Sequence, residues 1–448
     1  MKAVILWSDV LLFLLLALVF AGAWWSRRQA HLRDAWRKVG ASGTAMAAAT
    51  VLAAFLVIGV LDSLHYRERL PEVANAAGKG QPAYSNEVLS ALDALLLPLK
   101  SRTEKTYSAP LATHLFSKES LDGEGRDFPR LRHGGAQLGN DLALKDGDLA
   151  SRVLKGLGLG IVLWLPLWLF LRRRTSGGMA VSAVLGTALA LLLVAGPVAL
   201  LADGYHVLGT DKVGQDVLYL TLKSIRTGLL IGTLTTLIML PAAVLLGILA
   251  GYVGGWVDDL IQYLYTVLNS IPGVLLIAAA VLMMQVIIDT HPDWFATSAE
   301  RADARLLALC LILGVTSWTG LARLLRGETL KLREMDYVQA ARAFGVGRLA
   351  IMLRHILPNL MHIVLIALVM DFSGLVLAEA VLSYVGIGVD PNTISFGTMI
   401  NTARMELARE PLIWWSLAAA FAFMFVLVLA ANLFADAVRD AFDPRAAR

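Results

Sequence analysis

Five stretches of this chain each run for more than twenty residues without one charged side chain: 40–61, 175–202, 227–257, 260–288 and 411–435. A helix rises about 1.5 Å per residue and the hydrocarbon core of a bilayer is about 30 Å thick, so roughly 20 apolar residues cross it. Within lipid the backbone must satisfy its own hydrogen bonds, and a helix does so inside a single segment. The short alternating strands of a membrane β-barrel are absent from the pattern. Composition points the same way: 57% of residues are hydrophobic and 17% charged, against about 45–50% and about 25% in soluble domains. The expectation is an all-α polytopic membrane protein.

Nine spans are expected, at about 4–25, 41–61, 156–171, 178–201, 225–252, 260–288, 305–322, 360–386 and 412–435. The first follows Lys2 much as a signal peptide would. It runs through Trp24 and Trp25 into Arg27 and Arg28 without a small-residue cleavage site, and is read as a retained helix. The third is short, lying between Lys155 and Arg172, with an interfacial helix as its alternative.

Lys and Arg in short loops mark the cytoplasmic side. Arg27, Arg28, Arg33, Arg37 and Lys38 fall on one face with Arg172, Arg173 and Arg174. The basic segment Arg323–Arg354 and a tail with Arg439, Arg445 and Arg448 join them. The N-terminus, the segment 62–155 and the loops 203–224, 289–304 and 387–411 fall on the other. A net charge of +4 therefore reflects helix anchoring and does not call for nucleic acid. The one cysteine, Cys310, lies in an apolar run; a single thiol builds neither an internal disulfide nor a metal site.

The segment 62–155 exceeds the roughly 12–15 residues of an ordinary connection. Turn signals at Asp122-Gly123 and His133-Gly134-Gly135 break it, and Val88, Leu89, Leu92, Leu95, Leu96 and Leu99 suggest a packed helix. It reads as a small extracytoplasmic domain of irregular and helical structure. No nucleotide-binding phosphate loop is present, since Gly78-Lys79-Gly80 lacks the frame, and the eight His are scattered.

The informative cytoplasmic stretch runs from Glu334 to Asn359. Tyr337, Ala341 and Phe344 share one helical face, Gly345 and Gly347 break the helix, and a second short helix runs until Pro358. Such a helix–turn–helix suits a groove on a partner; an amphipathic loop lying on the membrane is the alternative. The stretch resembles the EAA loop of ATP-binding-cassette importer permeases at Ala340, Ala341, Gly345, Leu357 and Pro358. It departs at Gln339, where that family has Glu, and at His355, where it has Ile. Four further boxes resemble the OppC/DppC-like second permease of peptide and nickel importers. They are Leu208–Val217 (with Gln215 for Arg), Gly254–Asp258 with Ser270-Ile271-Pro272, Leu377–Gly386, and Val438–Arg445.

The resemblance implies a type I permease core of six helices over 178–448, with a coupling loop at 323–359. In front of it would stand two helices (1–61), a periplasmic insertion (62–155), and a third helix with its cytoplasmic turn (156–177). It implies a second homologous permease, two ATPase subunits, an extracytoplasmic binding protein and a peptide substrate in the bacterial inner membrane. ATP and Mg would sit on the ATPase partners, with no cofactor and no catalytic residue in this chain. Asp371 and Glu379 in the eighth span are costly in lipid and are candidates for the pathway, beside structural hydrogen bonding. Pro241 and Pro272 are candidates for gating kinks, beside packing. Nickel or another small solute is the near alternative. An ion-coupled secondary transporter, or a sensor or scaffold built on 62–155, is the alternative from another class.

Overall fold

The computed structural model describes residues 2–26, 28–69, 84–121, 125–139, 141–174, 180–295, 297–390 and 392–442. Arg27, Gly78-Lys79-Gly80, Asp122-Gly123 and the tail with Arg445 and Arg448 lie outside the described residues. The chain opens with a strand β1 (Lys2–Val4) and helices α1 (Trp7–Ser26), α2 (Ala30–Ala41) and α3 (Gly43–Asp62). Small elements follow: β2 (His65–Arg67), β3 (Leu89–Ser90), α4 (Ala91–Leu95), α5 (Leu97–Ser101), β4 (Glu119–Leu121) and β5 (Gly125–Asp127). Then come α6 (Lys145–Arg174), α7 (Val181–Ala202), α8 (Val217–Val253), α9 (Gly255–Ser270), α10 (Gly273–Thr290) and α11 (Ser298–Arg333). The chain continues with α12 (Asp336–Ala343), α13 (Arg348–Ile351), a π-helical turn (Met352–Ile356), α14 (Leu357–Val385), α15 (Phe396–Glu406) and α16 (Trp415–Phe442).

Among the described residues nine helices are long and apolar enough to cross a membrane, one for each expected span. Two differ in detail. The run 260–288 is not one helix: the backbone is extended at Ile271, and only α10 makes the crossing. Pro272 therefore does not kink a helix from inside. It stands at the N-cap of α10, where its missing N–H costs nothing. Pro241 does lie within α8. The short third run falls in the second half of α6, a helix of 30 residues that is long and apolar enough to cross.

The Cα framework separates into two compact units. One comprises Met1–Leu229 with Pro391–Ala430, the other Leu230–Asp390 with Ala431–Arg448.

In the first unit, β1 pairs antiparallel with β2, which pairs with β3. Lys2 faces Arg67 in that register, so the chain start lies at the same end of α1 and α3 as the segment after Asp62. The helix expected over 88–99 is broken into β3, α4 and α5; Leu92 and Leu99 are buried while Leu95 is 65% exposed. The segment also holds short strand pairs that its sequence did not announce. Further along, α6 and α7 approach backbone to backbone. A Cβ on Gly156 would lie 2.4 Å from Pro197 Cα, and one on Gly196 would lie 2.2 Å from Gly156 O. Small residues permit this closeness, which in lipid replaces hydrophobic burial as the force between helices.

The core of the second unit joins Met239 and Ala243 of α8 to Ile261 and Tyr265 of α9. Trp318, Leu321 and Leu325 of α11 and Leu360 and Val364 of α14 complete it. Val338, Ile351 and Ile356 from the connection between α11 and α14 belong to the same core. That shared packing positions the cytoplasmic segment.

Candidate functional site

Helix α12 has eight residues, too few to persist alone, so its position comes from what it buries. Val338 is 1% exposed and Ala341 packs beside it on the core. Of the face shared by Tyr337, Ala341 and Phe344, only Ala341 turns to the core. Phe344 caps α12 just beyond its last turn and is 87% exposed, and Tyr337 is 43% exposed. Gln339 and Ala340 also face outward.

The turn after α12 closes through two hydrogen bonds. Gly345 N donates to Arg342 O (3.0 Å) and Val346 N to Ala341 O (3.1 Å). This is a Schellman closure, and Gly345 takes the left-handed conformation it needs, at φ +75°. Of the two glycines expected to break the helix, only Gly345 must be glycine for that reason. Gly347 is extended and caps α13.

The second helix does not stop at Pro358. Residues 348–385 run on through the π turn into α14. Pro358 sits in the first turn of α14, and the widened turn before it carries the chain past a residue that cannot donate a backbone bond. Leu357 is half-buried against the core, whereas Pro358 is exposed. Side chains tie both ends of the loop. Gln339 Nε2 donates to Arg333 O (3.1 Å) at the end of α11, and Asn359 Nδ2 donates to Tyr337 Oη (3.1 Å) and to His355 O (2.7 Å). The structure thus gathers the six loop residues into one projection. Gln339, Ala340, Gly345 and Pro358 lie at its surface, and Ala341 and Leu357 on its packed side.

Beneath the projection, Arg326 of α11 grips Asp258 of α9 with two bonds, Nε to Oδ1 at 2.6 Å and Nη2 to Oδ2 at 2.7 Å. The Arg326 hydrogen bonds hold the Asp258 carboxyl below its ordinary range, against the upward pull of burial. Close packing of α8 on α11 completes this base: a Cβ on Gly247 would lie 2.7 Å from Ala322 O, and one on Gly251 2.6 Å from Thr329 Cβ. Asp258 lay in a box singled out from sequence; Arg326 did not. Its only signal in the sequence was membership of the basic segment Arg323–Arg354, which does not single it out.

The other candidates are spread over α8, the α9–α10 junction and α14. Glu379 is 1% exposed and accepts a hydrogen bond from Ser383 Oγ (2.7 Å), one turn along α14. Asp371 on the same helix is half-buried.

In the first unit, the Leu208–Val217 box forms a socket for the inserted segment. Trp415 Nε1 donates to Thr210 O (2.9 Å), Thr210 Oγ1 donates to Thr106 O (2.9 Å), and Ser108 N donates to Thr210 Oγ1 (2.7 Å). Gly214, at φ +78°, passes so close to the inserted segment that a Cβ would lie 1.9 Å from Glu104 O. The Glu104 carboxylate accepts from the backbone N–H groups of Arg132, His133 and Gly134, at 2.8–3.2 Å. Beyond the box, Lys223 pairs with Asp93 (2.8 Å) and Asp62 (3.0 Å), and Arg226 with Asp9 (2.6 Å). Burial alone would raise the Asp93 carboxyl, but Lys223 holds it down at about 2. Each of these buried charges meets an opposite one, which offsets the cost of taking it out of water.

Residues 243–448 match the family described as binding-protein-dependent transport system inner membrane component. The oligopeptide transport system permease protein OppC of Mycobacterium bovis is 31% identical over 239 residues, covering 53% of this chain and 76% of that protein. The glutathione transport system permease protein GsiD of Pectobacterium atrosepticum is 32% identical over 242 residues, 54% of this chain and 73% of its own length. The dipeptide transport system permease protein DppC of Lactococcus lactis is 31% identical over 241 residues, 54% and 64% respectively. The family region contains the whole α12–α14 projection, together with the membrane-length helices α10, α11, α14 and α16. This multi-pass inner-membrane protein belongs to the family of binding-protein-dependent transport system inner membrane components.

Proposed function

We propose that this chain is the OppC/DppC-like permease subunit of an ATP-driven importer of peptides, forming the translocation path with a second homologous permease. Two ATPase subunits carry ATP and Mg, and an extracytoplasmic binding protein delivers the peptide. One observation carries the reading. The helix α12 is anchored from behind by Val338 and turns out Phe344, Gln339 and Ala340, the form of a knob made to sit in a partner's groove. The side-chain ties of Gln339 and Asn359 couple that knob to α11 and α14, so a push on it is transmitted to two membrane-length helices. Relatives named for oligopeptide, dipeptide and glutathione transport support peptides as the substrate class. Asp371 and Glu379 on α14 are assigned to the pathway, and Pro241, inside α8, to its gating. A Glu379→Gln variant that left peptide uptake unchanged would remove Glu379 from that assignment.

Co-purification of the tagged chain from its native membrane, with an ATPase assay of wild type and Gly345→Pro, tests the whole reading. Proline cannot adopt φ +75°, so the variant dismantles the Schellman turn. Recovery of a second permease and ATPase subunits, with docking or stimulated hydrolysis lost in the variant, is expected. A stable chain recovered without any ATPase partner, under conditions that preserve known complexes, would overturn it.

A further inference from the structure

Helix α2 connects two membrane-length helices, α1 and α3, yet is itself only 12 residues long. At about 100° per residue, Leu32, Ala35, Trp36 and Val39 occupy one arc about 100° wide, and Arg33, Asp34, Arg37 and Lys38 occupy the opposite one. Val39 is 4% exposed, whereas Arg33, Arg37 and Lys38 all face outward. The α2–α3 junction is fixed: Ser42 N donates back to Lys38 O and Val39 O, and its hydroxyl caps α3 at Ala45 N. Ala180 N donates to Gly40 O (2.9 Å), which brings the start of α7, and with it the end of α6, to the same end of the unit. Both neighbouring helices finish there in a cation over an indole: Arg28 lies 3.7 Å from the ring centre of Trp24, and Arg172 5.0 Å from that of Trp168. Trp and Arg at the ends of spans mark the headgroup level of a bilayer.

We infer that α2 lies in the plane of the membrane at this level and, with Arg28, Arg172 and Arg173, forms a binding surface for anionic phospholipid headgroups. Its apolar arc rests on the acyl boundary and on α3, and its basic arc faces phosphates. The balance of charge selects this occupant: Arg28, Arg33, Arg37, Lys38, Arg172 and Arg173 gather around a single acid, Asp34. A polybasic segment beside a membrane is drawn to anionic lipid by each Lys or Arg it carries, and a basic amphipathic helix adds apolar burial to that attraction. All of these residues precede the region matched by the family, so the surface belongs to the added N-terminal part of this chain.

Native mass spectrometry of the full chain in neutral detergent, titrated with phosphatidylglycerol or phosphatidylcholine of identical acyl chains, tests the inference. Wild type is expected to retain phosphatidylglycerol more tightly by on the order of ten- to a hundredfold, with the preference falling as salt rises. Inorganic phosphate should not displace the lipid. The triple variant Arg33→Gln/Arg37→Gln/Lys38→Gln should lose most of the preference, and Arg33→Lys/Arg37→Lys should keep it, which separates loss of charge from loss of fold. Equal retention of the two lipids by wild type, or an undiminished preference in the neutral variant, would overturn it. Displacement by free phosphate, or tight binding of a soluble polyanion without lipid preference, would also overturn it.

Discussion

His206 Nδ1 lies 2.7 Å from an Asp216 carboxylate oxygen, and the opposite ring nitrogen lies 3.3 Å from Glu104. The imidazole joins the residue that caps α8, through Leu218 N at 2.8 Å, to the carboxylate that organises the 132–134 turn. Burial by itself would lower the His206 pKa; the bonds to Asp216 and Glu104 outweigh it and raise it from 6.5 to about 9. Burial likewise pushes Glu104 up, but His206 and three backbone N–H groups outweigh it and bring it from 4.5 down to about 2.

These shifts set a pH window with opposite signs at its two ends. The His206 contribution is complete below pH 6.5 and is lost as pH rises through about 9. The Glu104 contribution is complete above pH 4.5 and is lost as pH falls through about 2. Amide exchange across 104–134 should therefore be slowest between pH 4.5 and 6.5, after correction for intrinsic rates, and should accelerate toward pH 9. His206→Gln should flatten the alkaline limb. An alkaline limb unchanged in that variant would assign the effect elsewhere.

The coupling projection separates anchoring from contact. Val338→Ala removes two buried methyl groups and should destabilise the α12 region by about 1–3 kcal/mol, seen as faster local exchange. Phe344→Ala changes an exposed side chain and should leave stability unchanged while weakening stimulated ATPase activity. If both variants acted through stability alone, Phe344 would have no contact role.

The Arg326–Asp258 pair is partly buried and doubly bonded, so it should be worth more than the ~0–1 kcal/mol of a surface pair. Arg326→Gln and Asp258→Asn are each expected to lower the unfolding midpoint. The double variant should cost about 1–2 kcal/mol less than the sum of the two. Additive costs would mean that the pair contributes no coupling.

Glycines on α6 should divide into two classes. Gly156→Ala places a methyl against the Pro197 backbone and should loosen the α6–α7 pair, costing about 1–3 kcal/mol. Gly158→Ala meets nothing within 4 Å and should be neutral or slightly stabilising. Cysteine cross-linking between the two helices, in a Cys310→Ser background, would report the difference.

Much of the architecture was legible because a bilayer imposes a strong length rule. Nine apolar runs became nine helices of membrane-crossing length, since in lipid each must satisfy its backbone alone. The loop motif was legible as a series of residue types, with Gly345 at a turn that requires left-handed backbone. The direction each loop side chain faces was not. The spacing Tyr337–Ala341–Phe344 placed three residues on one helical face, but α12 ends at Ala343, and only Ala341 of the three joins Val338 on the core. Pro272 and Pro358 show the same limit: proline announces an irregularity, and only the surrounding chain decides whether it is a helix start, a kink or a bypassed position.

What the sequence determined by itself was the membrane, the number of crossings and the family, because these depend on local hydrophobicity and on short motifs. What only the tertiary structure decided was the use of the segment 62–155. Its anchors pair residues about a hundred positions apart, Glu104 with His206 and Asp93 with Lys223. A charge shows in a sequence, but the partner that allows it to be buried is chosen by the fold.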